Sequence, residues 1–229
     1  MPWGQSGDAI SGEGDYDGDG KVDYTVIRRD ATTGNLTWFI LSSSTGTQRA
    51  IQFGTAPSAI SGFIPTEGAD FNGDGRDELV LFTFNPQTGA DVTFVIGDAN
   101  TGAGVLTLPY GNFVTDYVIT PADYTGDGRA DIVVARATDT PITWYIRNTA
   151  TGTTTAFSFG IGDPSNTVES VNDLPVRGDY DGDGRHDIAV WRPSNQTFYY
   201  LRSSNNNTVV DGQKHGDPGD RPLGAIGTY

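Results

Sequence analysis

Four nine-residue segments of the chain have the composition of a cation-binding loop. They align without gaps on the pattern D-x-[D/N/T]-x-D-G-x-x-[D/E] and begin at Asp15, Asp70, Asp123 and Asp179, so successive loops start 55, 53 and 56 residues apart. Oxygen-bearing side chains at alternate positions around a tight turn suit a hard cation such as calcium, which takes about six to eight oxygen ligands. The loop is therefore both a candidate metal site and the marker of an internal repeat.

Each loop offers side-chain oxygens at positions 1, 3, 5 and 9 and a backbone carbonyl oxygen at position 7. Glycine at position 6 allows the chain to turn sharply around an ion, and glycine at position 4 is expected to serve the same need. The alternative is a hairpin turn rich in Asp and Gly without metal, but four copies with one spacing favour Ca²⁺, about four ions in all. The predicted ligands are Asp15, Asp17, Asp19, Lys21 and Asp23; Asp70, Asn72, Asp74, Arg76 and Glu78; Asp123, Thr125, Asp127, Arg129 and Asp131; and Asp179, Asp181, Asp183, Arg185 and Asp187, with the basic residues acting through their carbonyl oxygens.

The residues around these ligands distinguish the loops from other cation sites. An EF-hand would place a bidentate Glu at position 12, where this chain has Val26, Leu81, Val134 and Val190. Magnesium is less suited, because it dehydrates reluctantly and rarely uses a cage made only of protein atoms. Loop three has Thr125 in place of the acid at position 3, so we expect the weakest calcium affinity there.

The segments between the loops predict short strands and no helix. An apolar run follows each loop at once (24–27, 79–82, 132–135 and 188–191), which favours a strand buried on both faces. Further along each period comes Thr followed by an aromatic residue, and turn clusters separate the two. Three of the periods then end in an aromatic residue and Gly. The aromatic-Gly pairs are Phe53-Gly54, Tyr110-Gly111 and Phe159-Gly160, with related pairs at Trp3-Gly4 and His215-Gly216.

About four short strands per period of about 55 residues predict an all-β fold, a β-propeller of about four four-stranded blades with a Ca²⁺ loop at the start of each blade. The predicted blades of a single domain, 1–229, are 5–54, 55–111, 112–160 and 161–216. Both chain ends supply the same element, the strand that leads into a first loop. The C-terminal strand, 217–229, is therefore expected to close a ring, to pair with a neighbouring molecule, or to belong to a longer propeller.

Composition limits the class of function. The net charge is −15, and 25 of the 29 acidic residues are Asp, which argues against a nucleic-acid partner and against a helical bundle. There is no Cys and there are only two His, so disulfides, thiolate zinc sites and histidine chemistry have little basis. No apolar run is long enough to insert into a membrane. No signal peptide follows Met1, yet calcium loops of this type favour a secreted, extracellular protein.

Three sets of residues outside the loops have alternative interpretations. The aromatic residues Trp38, Phe94, Trp144 and Phe198 are either a sugar-stacking platform or, as we expect, packing between blades. Arginines at the same place in three periods either bind an anionic ligand or, as we expect, pair with nearby Asp. His186, at position 8 of loop four, is expected to be exposed to solvent. The three arginines are Arg28, Arg136 and Arg192.

The loops, the apolar strand after each, the Thr-Trp/Phe dipeptides and the Phe-Gly spacer together resemble FG-GAP/VCBS repeats, which form integrin-α-like propellers. The resemblance covers nearly the whole chain and implies calcium at the hairpin that begins each blade. It also implies extracellular adhesion, lectin or matrix roles. Integrin-like propellers usually have seven blades, and this chain departs from that number with four loops.

These observations give one leading hypothesis and two alternatives. The first is a non-catalytic extracellular binding or adhesion module that is stabilised by calcium and recognises a glycan or a protein. No nucleophile elbow, His-rich metal set or phosphate loop supports an enzyme. The alternatives are a self-assembling matrix or filament subunit joined through its terminal strands, and an accessory domain of a larger secreted enzyme.

Overall fold

The computed structural model describes residues 4–11, 14–56, 62–85, 88, 91–163 and 172–222. Within these residues lie sixteen β-strands, arranged as four antiparallel sheets of four strands each, in the order of the chain. Sheet one consists of β1 (Ala9–Ser11), β2 (Tyr24–Arg29), β3 (Asn35–Leu41) and β4 (Gln48–Thr55), and sheet two of β5 (Gly62–Ala69), β6 (Glu78–Phe84), β7 (Thr93–Gly97) and β8 (Gly104–Pro109). Sheet three consists of β9 (Asp116–Ala122), β10 (Asp131–Arg136), β11 (Thr143–Arg147) and β12 (Thr154–Ser158), and sheet four of β13 (Leu174–Val176), β14 (Ile188–Arg192), β15 (Thr197–Leu201) and β16 (Val210–Lys214).

The predicted all-β class, with about four strands per period, is confirmed. Among the described residues the one helical segment is a single 3₁₀ turn, Ser203–Asn205. The chain divides into two compact units, Met1–Val114 with sheets one and two and Thr115–Tyr229 with sheets three and four. The blade boundaries and the single domain over 1–229 stay predictions.

The apolar run after each loop forms the second strand of its sheet. β6, β10 and β14 are buried along almost their whole length, as expected for a strand covered on both faces. β2 differs at its first residue, because Tyr24 is 62 % exposed. The prediction of doubly buried strands is therefore confirmed for three sheets and only partly for the first.

Within each unit, an aromatic residue of one sheet packs against the second strand of the next sheet. Trp38 of β3 is fully buried in a cluster with Leu79 and Leu81 of β6. Trp144 of β11 occupies the matching place in the second unit, against Ile188 and Val190 of β14. These contacts confirm that both tryptophans are packing residues. Phe94 is also fully buried, whereas Phe198 is only partly buried.

The aromatic-Gly signal has a steric cause. The ring N–H of Trp38 donates to the carbonyl oxygen of Phe53 at 3.0 Å, which holds the next residue, Gly54, against the neighbouring sheet. Gly54 has a φ of 83°, and a Cβ there would lie 2.6 Å from Leu81 Cδ2. The second unit repeats this arrangement with Gly160, where a Cβ would lie 3.1 Å from Val190 Cγ1.

The two chain ends are described only in part. The predicted Trp3 signal and the predicted strand residues 223–229 lie outside the described residues. Residues 217–222, the described part of the predicted C-terminal strand, form a turn and contain no strand.

Candidate metal centres

The first aspartate of each loop organises the turn through backbone hydrogen bonds. In loop one, Asp15 Oδ1 accepts from the N–H of Gly18 at 2.8 Å, and Oδ2 accepts from the N–H of Gly20 at 2.7 Å. The same two bonds recur in the other loops at 2.6 to 2.8 Å. All eight loop glycines have φ between 77° and 90°, a backbone conformation that glycine adopts without steric cost. The expected need for glycine at positions 4 and 6 is confirmed.

The acid at position 9 closes the loop from the opposite side. Asp131 Oδ2 accepts from the N–H groups of Tyr124 and Thr125 at 3.0 and 2.9 Å. Glu78 Oε2 and Asp187 Oδ2 each accept from the N–H of the residue at position 2, at 2.8 Å. All four residues at position 9 are at most 2 % exposed, so each places a carboxylate inside the fold.

The carboxylates converge most closely in loops one and four. In each of these loops, oxygens from three acids lie within 4.8 Å of one another. In the described part of loops two and three, where Asn72 and Thr125 replace an acid at position 3, no such group of three acids forms. The converging acids are Asp15, Asp17 and Asp19 in loop one and Asp179, Asp181 and Asp187 in loop four.

Several of these buried oxygens have no hydrogen-bond donor. Asp17 Oδ1, Asp23 Oδ2 and Asp131 Oδ1 are buried without a partner. Asp17 and Asp23 also line a cavity of about 240 Å³, which gives room for an ion. A buried carboxylate oxygen without a partner carries a large desolvation cost, and a coordinated cation removes that cost. The donor set therefore fits a hard cation.

The acidity of the position-9 groups reflects the same crowding. Burial raises the pKa of Glu78 to about 7, and the charges of Asp70 and Asp74 add to the shift. Burial likewise raises the pKa of Asp131 to about 6, with Asp127 adding to it. Because a bound cation favours the ionised form of its ligands, calcium would reverse these shifts.

The hairpin after the third strand supplies polar groups that the sequence analysis missed. Asn148 Nδ2 donates to Thr125 Oγ1 at 2.8 Å and to Asp127 Oδ2 at 2.7 Å. In loop four, Ser203 Oγ donates to Asp183 Oδ1 at 2.9 Å. In the sequence, these groups could have been found as small polar residues directly after the third strand of each sheet. These contacts hold the predicted ligand side chains of positions 3 and 5 in place.

The residue at position 7 donates its backbone N–H to a predicted ligand side chain. The N–H of Lys21, Arg76, Arg129 and Arg185 donates to the acid at position 5, at 2.9 to 3.0 Å. The Arg185 guanidinium also forms an ion pair with Asp183 at 2.7 Å. The ligand role of the four carbonyl oxygens stays a prediction.

The expectation for His186 is wrong. Its backbone N–H donates to the carbonyl oxygen of Asp123 at 2.7 Å, and the centre of its ring lies 5.6 Å from that of Tyr124, so position 8 of loop four packs against loop three. Burial lowers the pKa of His186, with the charge of Arg177 adding to the shift. The half-buried His186 therefore connects loop four to loop three within the second unit.

The expected pairing of the three repeated arginines is confirmed. Each forms an ion pair with an aspartate 19 or 20 residues earlier in the chain, at 2.7 to 2.9 Å. The pairs are Arg28 with Asp8, Arg136 with Asp116 and Arg192 with Asp173. The guanidinium groups are thus already neutralised by carboxylates.

Comparison with known proteins agrees with the repeat seen in the sheets. The chain is similar to the family of FG-GAP-like repeats over residues 15–81 and 70–134, which together span more than half of it. No curated protein matches the chain. A solved structure, an exotype rhamnogalacturonan lyase YesX, is 15 % identical with a TM-score of 0.45 over 85 % of this chain, and the chain spans 45 % of that enzyme's length. Among the described residues, no helix combines the length and apolar character that crossing a bilayer requires.

Proposed function

Because the chain belongs to the FG-GAP-like repeat family, we propose that it is a non-catalytic, calcium-stabilised binding module of the extracellular space. Its four sheets are the blades of a β-propeller, and each calcium loop joins the first and second strands of its blade. The module presents a rigid surface to a glycan or to a protein.

The observation that carries this proposal is the set of buried carboxylate oxygens without donors, at Asp17, Asp23 and Asp131. Fourteen of the 29 acidic residues are predicted ligands, and four bound Ca²⁺ ions would change the formal charge from −15 to −7. Without a cation these carboxylates repel one another in a poorly solvated place, so binding would stabilise the folded state.

The packing within each unit supports the propeller arrangement. Trp38 joins sheet one to sheet two, and Trp144 joins sheet three to sheet four in the same way. Face-to-face packing of successive four-stranded sheets is the relation between neighbouring blades.

Two arguments support a non-catalytic, extracellular role. Among the described residues, the carboxyl groups with a raised pKa are Asp23, Asp77, Glu78 and Asp131, which all belong to the loops, so they mark the candidate cation sites and not a separate catalytic centre. Extracellular loops bind calcium at about 0.1 to 1 mM, and such sites fill outside the cell but stay empty in the cytosol.

Calcium titration and thermal unfolding test the proposal. We expect about four Ca²⁺ per chain and a sharp loss of melting temperature in EDTA, which added calcium restores and equimolar magnesium does not. An unchanged melting temperature in EDTA would contradict the calcium role. A glycan array probed in calcium separates the two ligand classes, because binding to no carbohydrate leaves only a protein ligand.

A further inference from the structure

Three of the four sheets share an ion pair that fixes the start of the first strand to the second strand. We name this ion pair the latch. In sheet one, Arg28 Nε and Nη2 donate to the two carboxylate oxygens of Asp8, both at 2.8 Å. The latch aspartate side chains are at most 4 % exposed. Each arginine also lies 4.5 to 5.0 Å from the centre of an aromatic ring on the third strand. The latch thus joins a buried carboxylate to a partly exposed arginine.

The turn that presents Asp8 to its latch occurs a second time near the C-terminus. In the segment Gly4–Asp8, the N–H of Gln5 donates to Asp8 Oδ2 at 2.8 Å, and the N–H of Asp8 donates to the Gln5 carbonyl oxygen at 3.1 Å. In residues 216–220, Asp217 and Asp220 make the same two bonds at 2.9 and 3.1 Å. The first and fourth residues of both turns are glycines with φ between 82° and 98°: Gly4 and Gly7 in the first turn, Gly216 and Gly219 in the second. Asp220 is therefore shaped as a latch aspartate, yet it is exposed.

The first glycine of the two turns differs in what it contacts. A Cβ on Gly4 would lie 3.5 Å from Val26 Cγ1, as Gly54 and Gly160 lie against the matching residues of the second strands of sheets two and four. The nearest atoms to a Cβ on Gly216 would belong to Asp220 of its own turn, at 3.3 Å. The C-terminal turn has the form of a strand entry, and among the described residues the atoms nearest to its first glycine belong to the turn itself and not to a second strand.

The two sheets at the ends of the series also have complementary open faces. In sheet one, Tyr24 is 62 % and Ile10 is 88 % exposed, whereas Leu79 and Ile188, which correspond to Tyr24, are fully buried. In sheet four, the aromatic face is only partly covered, and a groove of about 480 Å³ runs along it beside Asp220. The groove is lined by Tyr180, Trp191, Phe198, His215 and Pro222.

We propose that two copies of this chain join head to tail: the turn of residues 216–220 in one copy replaces the turn Gly4–Asp8 in the second. Asp220 then forms the latch with Arg28 of the second copy, and the open face of sheet four covers the open face of sheet one. The packed junctions within each unit show that faces of these two kinds fit together. The contact is heterologous, so repeated copies form open chains.

Sedimentation velocity in calcium over a range of concentrations tests the proposal with three single-charge variants. The wild type is expected to associate more as concentration rises. Asp220→Asn removes the incoming latch charge and weakens association by at least about tenfold. Asp8→Asn weakens the ion pair that Arg28 forms within its own chain, which competes with Asp220 of the other copy, and therefore strengthens association. Asp217→Asn, three residues from Asp220, removes the same charge outside the latch and leaves association unchanged.

The Asp8 and Asp220 variants should change association in opposite directions, which a nonspecific loss of charge does not do. A wild type that stays monomeric at every concentration overturns the proposal, and so does equal behaviour of the Asp220→Asn and Asp217→Asn variants. A monomer that becomes less compact on Asp220→Asn without any change in association also overturns it, in favour of closure within one chain. Because Asp220 lies outside the calcium loops, its variant leaves calcium stoichiometry unchanged, and the two proposals fail separately.

Discussion

Asp77 and Asp15 are joined by two hydrogen bonds that run in opposite directions. The N–H of Asp77 donates to the carbonyl oxygen of Asp15 at 2.8 Å, and the N–H of Asp15 donates to Asp77 Oδ2 at 2.7 Å. Asp77 is at position 8 of loop two, and Asp15 is at position 1 of loop one. Two neighbouring loops are therefore mechanically coupled at the residue that begins the first candidate metal centre.

Replacing Asp77 by Ala is expected to destabilise the protein by about 1 to 3 kcal/mol, because the partly buried N–H of Asp15 loses its acceptor. Calcium affinity of loop one should fall with it, since Asp15 is a predicted ligand. Asp77→Asn is the control, because its amide oxygen still accepts the bond. Denaturant unfolding measures both variants, and equal stability of the Ala and Asn variants contradicts the coupling.

The glycines at positions 4 and 6 of loop one differ in their surroundings, which gives a second prediction. Both have φ near 80°, so alanine at either position is strained. A Cβ at Gly18 would also lie 2.8 Å from Arg76 Cγ, whereas nothing lies within 4 Å of a Cβ at Gly20. Gly18→Ala should therefore lower the unfolding free energy more than Gly20→Ala. Adding Arg76→Ala should reduce the difference, because the remaining close contact is the Gly75 carbonyl oxygen at 3.3 Å. Equal losses from the two single variants would show that Arg76 does not restrict position 4.

The sequence predicts the parts of the fold that repeat with short-range rules. The Asp and Gly residues of a nine-residue loop fix its turn by contacts within the loop, such as those of Asp15 with Gly18 and Gly20. The apolar run after each loop predicts a strand, because a strand that is buried on both faces needs apolar side chains at every position. Spacing then gives the number of sheets.

Contacts between strands and between repeats were harder to predict from one sequence. The arginines of the latch were expected to pair with aspartates, but the partner of Arg28 is Asp8, and only the register of β1 on β2 brings them together. His186 was predicted as exposed because position 8 points away from the loop's own ligands. What lies there is Tyr124 of the preceding loop, a neighbour that the local pattern does not reveal.

Removal of one ligand tests the calcium centres individually. Asp19→Ala should weaken one site, so one Ca²⁺ fewer binds at about 1 mM calcium. At that concentration a site with a 0.1 mM constant stabilises the fold by about 1.4 kcal/mol, from RT ln(1 + 10). The loss of melting temperature should appear in calcium and vanish in EDTA. Asp91→Asn is the matched control, because Asp91 is exposed, lies outside the loops and has a φ of 61° that Asn tolerates. A loss that persists in EDTA would point to a structural role of Asp19 instead.

Loop three offers a gain-of-affinity prediction. Thr125 stands where loops one and four have Asp, and affinity rises with the number of charged ligands. Thr125→Asp should tighten the weakest site by about tenfold, or about 1.4 kcal/mol. The side-chain amide of Asn148, which contacts Thr125 Oγ1, can donate to the new carboxylate. Calcium titration against the wild type measures the change, and unchanged affinity would show that position 3 does not contribute a ligand in this loop.

The dependence of stability on pH should differ in sign between the calcium-free and calcium-bound forms. Without calcium, burial raises the pKa of Asp77 and Asp131 to about 6 and that of Glu78 to about 7. In the unfolded chain these groups titrate near their ordinary pKa of about 4. The folded state therefore holds these protons more tightly, and their stabilising contribution is lost as pH rises through the raised pKa values. His186, whose pKa burial lowers, makes a contribution that rises with pH, but it is one group against these three and Asp23, whose pKa burial also raises.

Melting temperature in EDTA is thus expected to fall between pH 5 and pH 7. In calcium it should rise over the same window, because protons compete with the cation for the same carboxylates. The calcium-bound form therefore becomes more stable as the carboxylates lose their protons. Glu78→Gln removes the most strongly shifted of these groups, so it should flatten the EDTA profile above pH 6. Calorimetry of calcium binding gives an independent measurement, since proton release on binding should be large at pH 5.5 and small at pH 8. An EDTA profile that rises with pH, together with no proton release at pH 5.5, would show that these carboxylates are already ionised in the calcium-free fold.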